Sequence, residues 1–206
     1  NHKIKLLVIA CNTATASTIS KLREIYNFPI IGMEPAIKPA NEASRNKKVG
    51  ILATEGTINS SKFSALLDSY SGETQFFIQP CIGLVEYIEH GEIDSAKVTS
   101  LLHKNLIPLL EHNVDVVVLG CTHYIFIKKI VERFFNNEIT IIETGNAVAL
   151  QAERKLKEFN IVSDMLKNEH SIYSNSENPK MNLIINSLLG HSDFRFDFHP
   201  NWDENH

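Results

Sequence analysis

Two cysteines close two copies of one local pattern. Ile4-Lys5-Leu6-Leu7-Val8-Ile9-Ala10 runs into Cys11-Asn12-Thr13, and Val114-Asp115-Val116-Val117-Val118-Leu119-Gly120 runs into Cys121-Thr122-His123. Each time an apolar run meets a small residue, then cysteine, then hydrogen-bonding side chains, then a helical pattern; this repetition is the most specific signal in the chain. A resting thiol with a pKa near 8.5 is only about 3% thiolate at pH 7. The unpaired N–H groups at a helix start stabilise thiolate and also hold carboxylates. One activated cysteine would suggest a nucleophile. Two in equivalent surroundings suggest proton exchange at a carbon centre, in which one group takes a proton from one face and the other delivers one to the opposite face. The reverse reaction swaps their duties, and a thiolate facing a thiol does both.

The plain alternative for each residue is structural, because free cysteine is among the most buried residue types. Duplication of the whole corner is what argues for a site. A metal centre built from Cys11, Cys121, His123 and Cys81 would compete for the same atoms, yet no CxxC or HxxxH pair supports it. Cys81, in Gln79-Pro80-Cys81-Ile82-Gly83, lacks the strand-to-polar-corner setting and is expected to be structural or peripheral.

Such corners need strands to end them and helices to follow. Short β-branched runs predict strands at Ile4 to Ala10, Val49 to Ala53, Val114 to Leu119 and Ile139 to Ile142. None alternates polar with apolar residues, as befits a sheet covered on both faces, so the class is α/β with a mainly parallel sheet. Helices are predicted over Thr13 to Tyr26, Ser60 to Tyr70, Ser95 to Glu111, Ala147 to Phe159 and Met181 to Leu189. Pro108 is expected to kink or divide the third of these. After Ile142 the order of elements changes, with a weak strand around His170 to Tyr173, a loop over Asn175 to Lys180 and a loosely attached tail after Gly190. The first strand begins almost at once and residue 1 is not methionine, so a leading segment is expected ahead of it.

With 206 residues, 43% hydrophobic and 21% charged, the composition is that of a globular chain and excludes disordered or collagen-like classes. A net charge of −4 gives no footprint for nucleic acid; the densest basic cluster, Arg45-Asn46-Lys47-Lys48, reads as a solvated turn before a strand. No apolar run approaches the ~18 to 20 residues of a membrane span, and the opening residues lack signal-peptide regions, so no membrane partner and a cytoplasmic location are expected. Three cysteines are too few for a disulfide framework.

Ile9-Ala10-Cys11-Asn12-Thr13-Ala14 and Leu119-Gly120-Cys121-Thr122-His123-Tyr124 closely resemble the two cysteine motifs of glutamate racemases, cofactor-independent members of the aspartate/glutamate racemase superfamily. The likeness extends through Gly32-Met33-Glu34-Pro35 and Ile51-Leu52-Ala53-Thr54-Glu55-Gly56-Thr57, weakly along Cys81 to Glu92, and covers the chain to about Gly190. His123 favours the glutamate branch. The resemblance implies that Cys11 and Cys121 are proton acceptor and donor on opposite faces of Cα. It implies that Asn12, Thr13, Thr122 and His123 hold substrate, and that Thr57 matches a substrate-contacting threonine, with an ordinary helix cap as the plain reading. His123 would also assist Cys121, against the alternative of a solvated or core histidine. Glu89 matches an auxiliary acid, although an exposed helical carboxylate fits its surroundings as well.

The resemblance further implies two pseudo-symmetric α/β domains with mainly parallel sheets flanked by helices. Residues 1–33 with 143–206 would form an incomplete first domain and 34–142 the second, with glutamate enclosed between them. No pyridoxal phosphate or metal is implied; a homodimer is allowed. The implied activity is interconversion of L- and D-glutamate, supplying D-glutamate for peptidoglycan. Family members carry an Asp-Ser-Gly loop and a Tyr-Gly turn ahead of the first cysteine motif, and this sequence shows neither. Ile125 stands where proline commonly follows Thr-His-Tyr, and Glu143-Thr144-Gly145 replaces an Asp-Ser-type turn. Two other readings stay open: a catalytically inactive binding protein on the same fold, and a superfamily racemase or decarboxylase acting on another small acid.

Overall fold

In a computed structural model, residues 4–162, 171–174, 180–190 and 195–198 are described. Every strand pairing among them is parallel. β1 (Leu7–Ile9) pairs with β2 (Ile30–Gly32), and a four-stranded sheet follows the order β4 (Gln75–Pro80), β3 (Lys48–Ala53), β5 (Val116–Leu119), β6 (Thr140–Ile142). A third pair joins β7 (Ser171–Ser174) to β8 (Arg195–Phe198). Helices cover the sheets: α1 (Asn12–Ile25), α2 (Ile37–Ala43), α3 (Glu55–Ile58), α4 (Ser61–Asp68), α5 (Leu84–Glu89), α6 (Ala96–Glu111), α7 (Lys128–Phe134), α8 (Gly145–Glu158) and α9 (Met181–Leu189). The class is α/β, as the unalternating strands required.

The reason for those unalternating strands is visible in β5. Val117 and Leu119 face a core shared with Leu102, Leu106 and Leu109 of α6, whereas Val116 and Val118 face Ile37 and Ala40 of α2 and Phe63 of α4. Both faces of the strand are dry, so both sets of alternate residues must be apolar. Val98, Leu102, Leu106 and Leu109, all buried, form one stripe of α6, which Ser95 starts by accepting the Val98 N–H on its hydroxyl.

Pro108 does not divide this helix, contrary to the expectation from its ring. The helix is continuous from Ala96 to Glu111, and the Pro108 carbonyl still accepts the His112 N–H at 3.1 Å. The missing proline N–H falls in the last turns, where buried Leu106 and Leu109 hold the helix to the sheet on either side of it. Strands β2, β4 and β8 were not anticipated; β8 falls in the expected loose tail and pairs with β7. β2 is three residues long, and β4 is an edge strand ending in Pro80, where a missing ladder donor is tolerated. Most of the predicted Asn175 to Lys180 loop and most of the tail after Gly190 lie outside the described residues.

The basic cluster forms the solvated turn leading into β3, and Asp115 clamps it. Its carboxylate accepts the Ser44 hydroxyl at 2.6 Å and the Arg45 and Asn46 N–H groups at 2.7 and 3.1 Å. Burial works to raise the Asp115 pKa, but these donors outweigh it and hold the acid below its ordinary value. A depressed folded-state pKa contributes stability that is present above the unfolded pKa and lost as pH falls through the folded one. Asp115→Asn is therefore expected to lower unfolding free energy by about 1–3 kcal/mol at pH 7. Urea titrations should show the wild-type advantage shrinking once the pH falls below about 3.9.

Candidate active site

Both cysteines stand just past the carboxyl ends of parallel strands, Cys11 after β1 and Cys121 after β5, where ligands of open α/β sheets bind. Their backbones match: φ −155° and ψ 124° at Cys11, φ −144° and ψ 141° at Cys121. The continuations differ. Cys11 caps α1, its sulfur accepting the Ala14 N–H at 3.4 Å. Cys121 leads instead into a 3-10 helix, Thr122–Ile127, whose first bond runs from the Tyr124 N–H to the Cys121 carbonyl at 3.0 Å. The fully buried Tyr124 ring draws this turn inward, so the expected second α-helical start is a tighter one.

One open cavity of about 360 Å³ takes both thiols, together with Asn12, Thr13, Thr57 and His123. Of the residues expected to hold substrate, Thr122 does not border it. Cys11 is exposed and Cys121 half-buried. Asn12 spans the two corners, its Nδ2 donating to the Gly120 carbonyl at 2.5 Å. Gly120 is fixed in turn by its own N–H bond to the Leu52 carbonyl at 2.7 Å, and a Cβ there would lie 2.8 Å from that same oxygen. No other residue fits so close a backbone approach.

Burial raises the Cys121 pKa, and charge on Cys11 adds to the rise; the N–H groups of His123 and Tyr124 and the Thr122 hydroxyl oppose it without reversing it. The turn amides are thus present as the sequence suggested, and desolvation outweighs them. The Cys121 sulfur lies 3.7 Å from His123 Nδ1, and His123 Nε2 lies 3.1 Å from Glu89 Oε1. Nε2 carries the proton it donates to Glu89, which leaves the Nδ1 lone pair to accept from the thiol. Glu89, at the end of α5, reaches the cavity only through this histidine.

Cys81 is not peripheral. It is 3% exposed, packs with Leu84 and Ile88 in the core and also borders the cavity. Burial pushes its thiol up to about 12, the Tyr124 hydroxyl opposing and Cys121 charge adding.

Thr54 was missed as a site residue. Thr13 and Thr54 oxygens are 2.9 Å apart, and each lies 3.1 Å from that of Thr57, so three hydroxyls close a triangle. Thr54 also caps α3, accepting the Thr57 N–H. The signal for it was present: it follows directly on the apolar strand β3. Gly56 lets α1 approach, because a Cβ there would meet Thr13 Cγ2 at 2.7 Å. The cavity lining contains Glu55 and Glu86 but neither lysine nor arginine. A carboxylate bound here would be held by N–H and O–H donors. Among the described residues no group of three or more His, Cys, Asp or Glu is arranged to hold a metal ion, and no helix is long and apolar enough to cross a membrane.

Parallel α/β sheets with paired cysteine corners over one cavity set the chain beside the glutamate racemase folds on which it superposes. The chain belongs to the Asp/Glu/hydantoin racemase family, whose model matches residues 1–162. It is 50% identical over 153 residues to a glutamate racemase of Pseudomonas paraeruginosa, covering 74% of this chain and 58% of that protein. It is 41% identical over 190 residues to the glutamate racemase of Pseudomonas entomophila, covering 92% and 72%. Among solved structures, Escherichia coli glutamate racemase in complex with L-glutamate and the activator UDP-MurNAc-Ala superposes with a TM-score of 0.81 at 27% identity, over 95% of this chain and 74% of that one. A glutamate racemase isoform of Bacillus anthracis gives 0.79 at 28%, over 95% and 74%.

The three thiols differ enough in exposure to be told apart chemically. With iodoacetamide at pH 8 under native conditions, Cys11 is expected to be alkylated first and Cys121 more slowly. Cys81, with on the order of 10⁻⁴ of its thiol ionised at that pH, should stay unmodified until the protein unfolds. Peptide mass spectrometry over time checks the order.

Proposed function

We propose that this chain belongs to an enzyme that interconverts L- and D-glutamate by proton transfer between two thiols, without a cofactor. The observation that carries the reading is that Cys11 and Cys121, on matching backbone corners, border one cavity and are tied together through Asn12 and Gly120. The relatives at 41–50% identity bear the name of that activity. The chain spans 58% of the length of the P. paraeruginosa protein, so the activity is assigned to the whole enzyme.

In the proposed cycle, glutamate lies between the sulfurs with its Cα–H bond aimed at one of them. The thiolate on that side takes the α-proton and becomes a thiol; the thiol on the other side gives its proton to the opposite face of Cα and becomes a thiolate. The carbon is inverted and the enzyme is left with its protons exchanged, ready for the reverse reaction. Cys121 carries its proton at rest, since burial disfavours its thiolate. When Cys121 is instead to act as the base, its resting proton first passes to His123 Nδ1, leaving the thiolate to take the α-proton, and Glu89 stabilises the imidazolium. Asn12, Thr13, Thr57 and the His123 backbone hold the substrate; none of this requires a metal or pyridoxal phosphate. The same reading divides the chain into a domain of residues 1–33 with 143–206 and one of 34–142, with the substrate between them. It makes the protein a cytoplasmic source of D-glutamate for peptidoglycan, with a homodimer as the assembly to test.

Incubation with L-glutamate in deuterated water is expected to place deuterium on Cα and to drive optical activity toward zero. Cys11→Ser and Cys121→Ser should each suppress exchange by about 10²–10⁴-fold, the range of a positioned acid or base, because an alcohol is far less acidic than a thiol. Glu89→Gln should cost less, about tenfold, since it acts through His123. Calorimetric binding of glutamate with no isotope exchange would replace the reaction by a binding role.

A further inference from the structure

We infer that Tyr124 is a positioning residue, bracing the helix α5 that presents Glu89 to His123; its effect on turnover rests on the reaction proposed above. Residues 123 and 124 are adjacent, and between them they hold both ends of α5. His123 Nε2 lies 3.1 Å from Oε1 of Glu89, the last residue of the helix. The Tyr124 hydroxyl donates to the Cys81 carbonyl at 3.5 Å. The N–H of Leu84, the first residue of the helix, donates to that same carbonyl at 3.3 Å.

A phenol oxygen buried with its ring needs a hydrogen-bond partner. Tyr124 is fully buried, and burial raises its pKa, so the hydroxyl keeps its proton and remains a donor. The 3.5 Å contact is at the long edge of hydrogen bonding, and both of its ends are held by other bonds. On one side the Tyr124 N–H closes the 3-10 turn onto the Cys121 carbonyl at 3.0 Å. On the other the Cys81 N–H is bonded to the Ala53 carbonyl of β3 at 3.1 Å. Gly83, at φ +81°, gives the start of α5 no side-chain cap, which leaves the Cys81 carbonyl to take its first N–H.

The consequence reaches the thiol of Cys121 through His123. The Glu89 side chain is 59% exposed, so packing does not hold it, and the position of its helix decides whether it meets the imidazole. Leu84 and Ile88 press α5 onto the core, but apolar contact is non-directional and does not fix a short helix along its own axis. Hydrogen bonds at both ends do. Tyr124 thus acts on the relay without touching substrate.

Tyr124→Phe removes one oxygen and keeps the ring. In the whole enzyme it is expected to slow deuterium incorporation at Cα through kcat, with KM held, by up to about the tenfold expected of Glu89→Gln. Because both changes act on one contact, the double variant is expected to be no slower than the slower single variant. Losses that multiply in the double variant, or a Tyr124→Phe enzyme at the full rate, overturn the inference. A hydroxyl that served stability alone would lower the melting temperature and leave kcat as it was. Should Tyr124→Phe fail to fold, NMR of the wild-type protein decides. A nuclear Overhauser cross-peak is expected between the Tyr124 hydroxyl proton and the Leu84 amide proton, both aimed at one carbonyl oxygen, and its absence refutes the brace. An enzyme that shows this cross-peak yet never exchanges the α-proton would refute the racemase reading alone.

Discussion

The gap between the two thiols is bridged by one hydrogen bond, from Asn12 Nδ2 to the Gly120 carbonyl, and braced by the bonds of Thr13 to Thr54 and Thr57. The Asn12 bond joins residues 108 positions apart in sequence, and each end is itself held. Gly120 is pinned to β3 through the Leu52 carbonyl at a distance no side chain would permit. On the other side Thr15, in the first turns of α1, donates to the Ile9 carbonyl at 3.2 Å and accepts the Met33 N–H at 3.0 Å. The helix that carries Asn12 is thereby fastened to the ends of both β1 and β2. The central sheet therefore sets the position of Cys121, the β1–β2 pair sets that of Cys11, and the Asn12 amide with the Thr13 hydroxyl sets the two against each other. The proposed two-base chemistry would tolerate little looseness, because a misplacement of about 1 Å can cost 10²-fold in rate.

Matching backbones do not give the two thiols matching electrostatics. Cys11 is exposed at a helix start, whereas Cys121 is half-buried, backed by the still more buried Cys81 and placed against His123. Burial keeps the proton on Cys121, and the contact of His123 with Glu89, which the proposed reaction uses as a relay, is on the same side. A thiol that is reluctant to ionise needs a neighbouring base to release its proton and becomes a strong base once it has done so. The arrangement thus compensates for the depth at which the second corner is buried. A thiol on the exposed side has solvent for the same purpose.

The parts of the fold legible in the sequence were those with strong local causes. Continuous apolar runs marked β1, β3, β5 and β6, serines at positions 60 and 95 marked the starts of α4 and α6, and the repeated strand-to-cysteine corner marked the site. What stayed hidden arises between segments. Three-residue β2 exists because it pairs with β1, and Pro108 sits in an unbroken helix because leucines on both sides pack on the sheet. Cys81 lacks a polar corner of its own and reaches the cavity only because β4 lies beside β3. The link from His123 to Glu89 spans 34 residues, and no local pattern in Tyr87-Ile88-Glu89-His90 announces it.

The three threonine hydroxyls bear on how such a cavity can take a carboxylate without a cation in its lining. A closed triangle satisfies each hydroxyl with one donated and one accepted bond. Suppose an acceptor arrives from the cavity beside Thr13 or Thr57. One hydroxyl can turn its proton outward, and the other two keep bonds to it and to each other. A donor is delivered and no buried oxygen is stranded, so the cost of leaving a polar group unpaired does not arise. An arginine in the same place would hold a carboxylate more tightly, in the starting acid and in its mirror image alike. Tight binding of the ground state does nothing for the chemical step. On the proposed reaction, neutral donors would leave substrate and product weakly held and leave the chemical step to the sulfurs on either side.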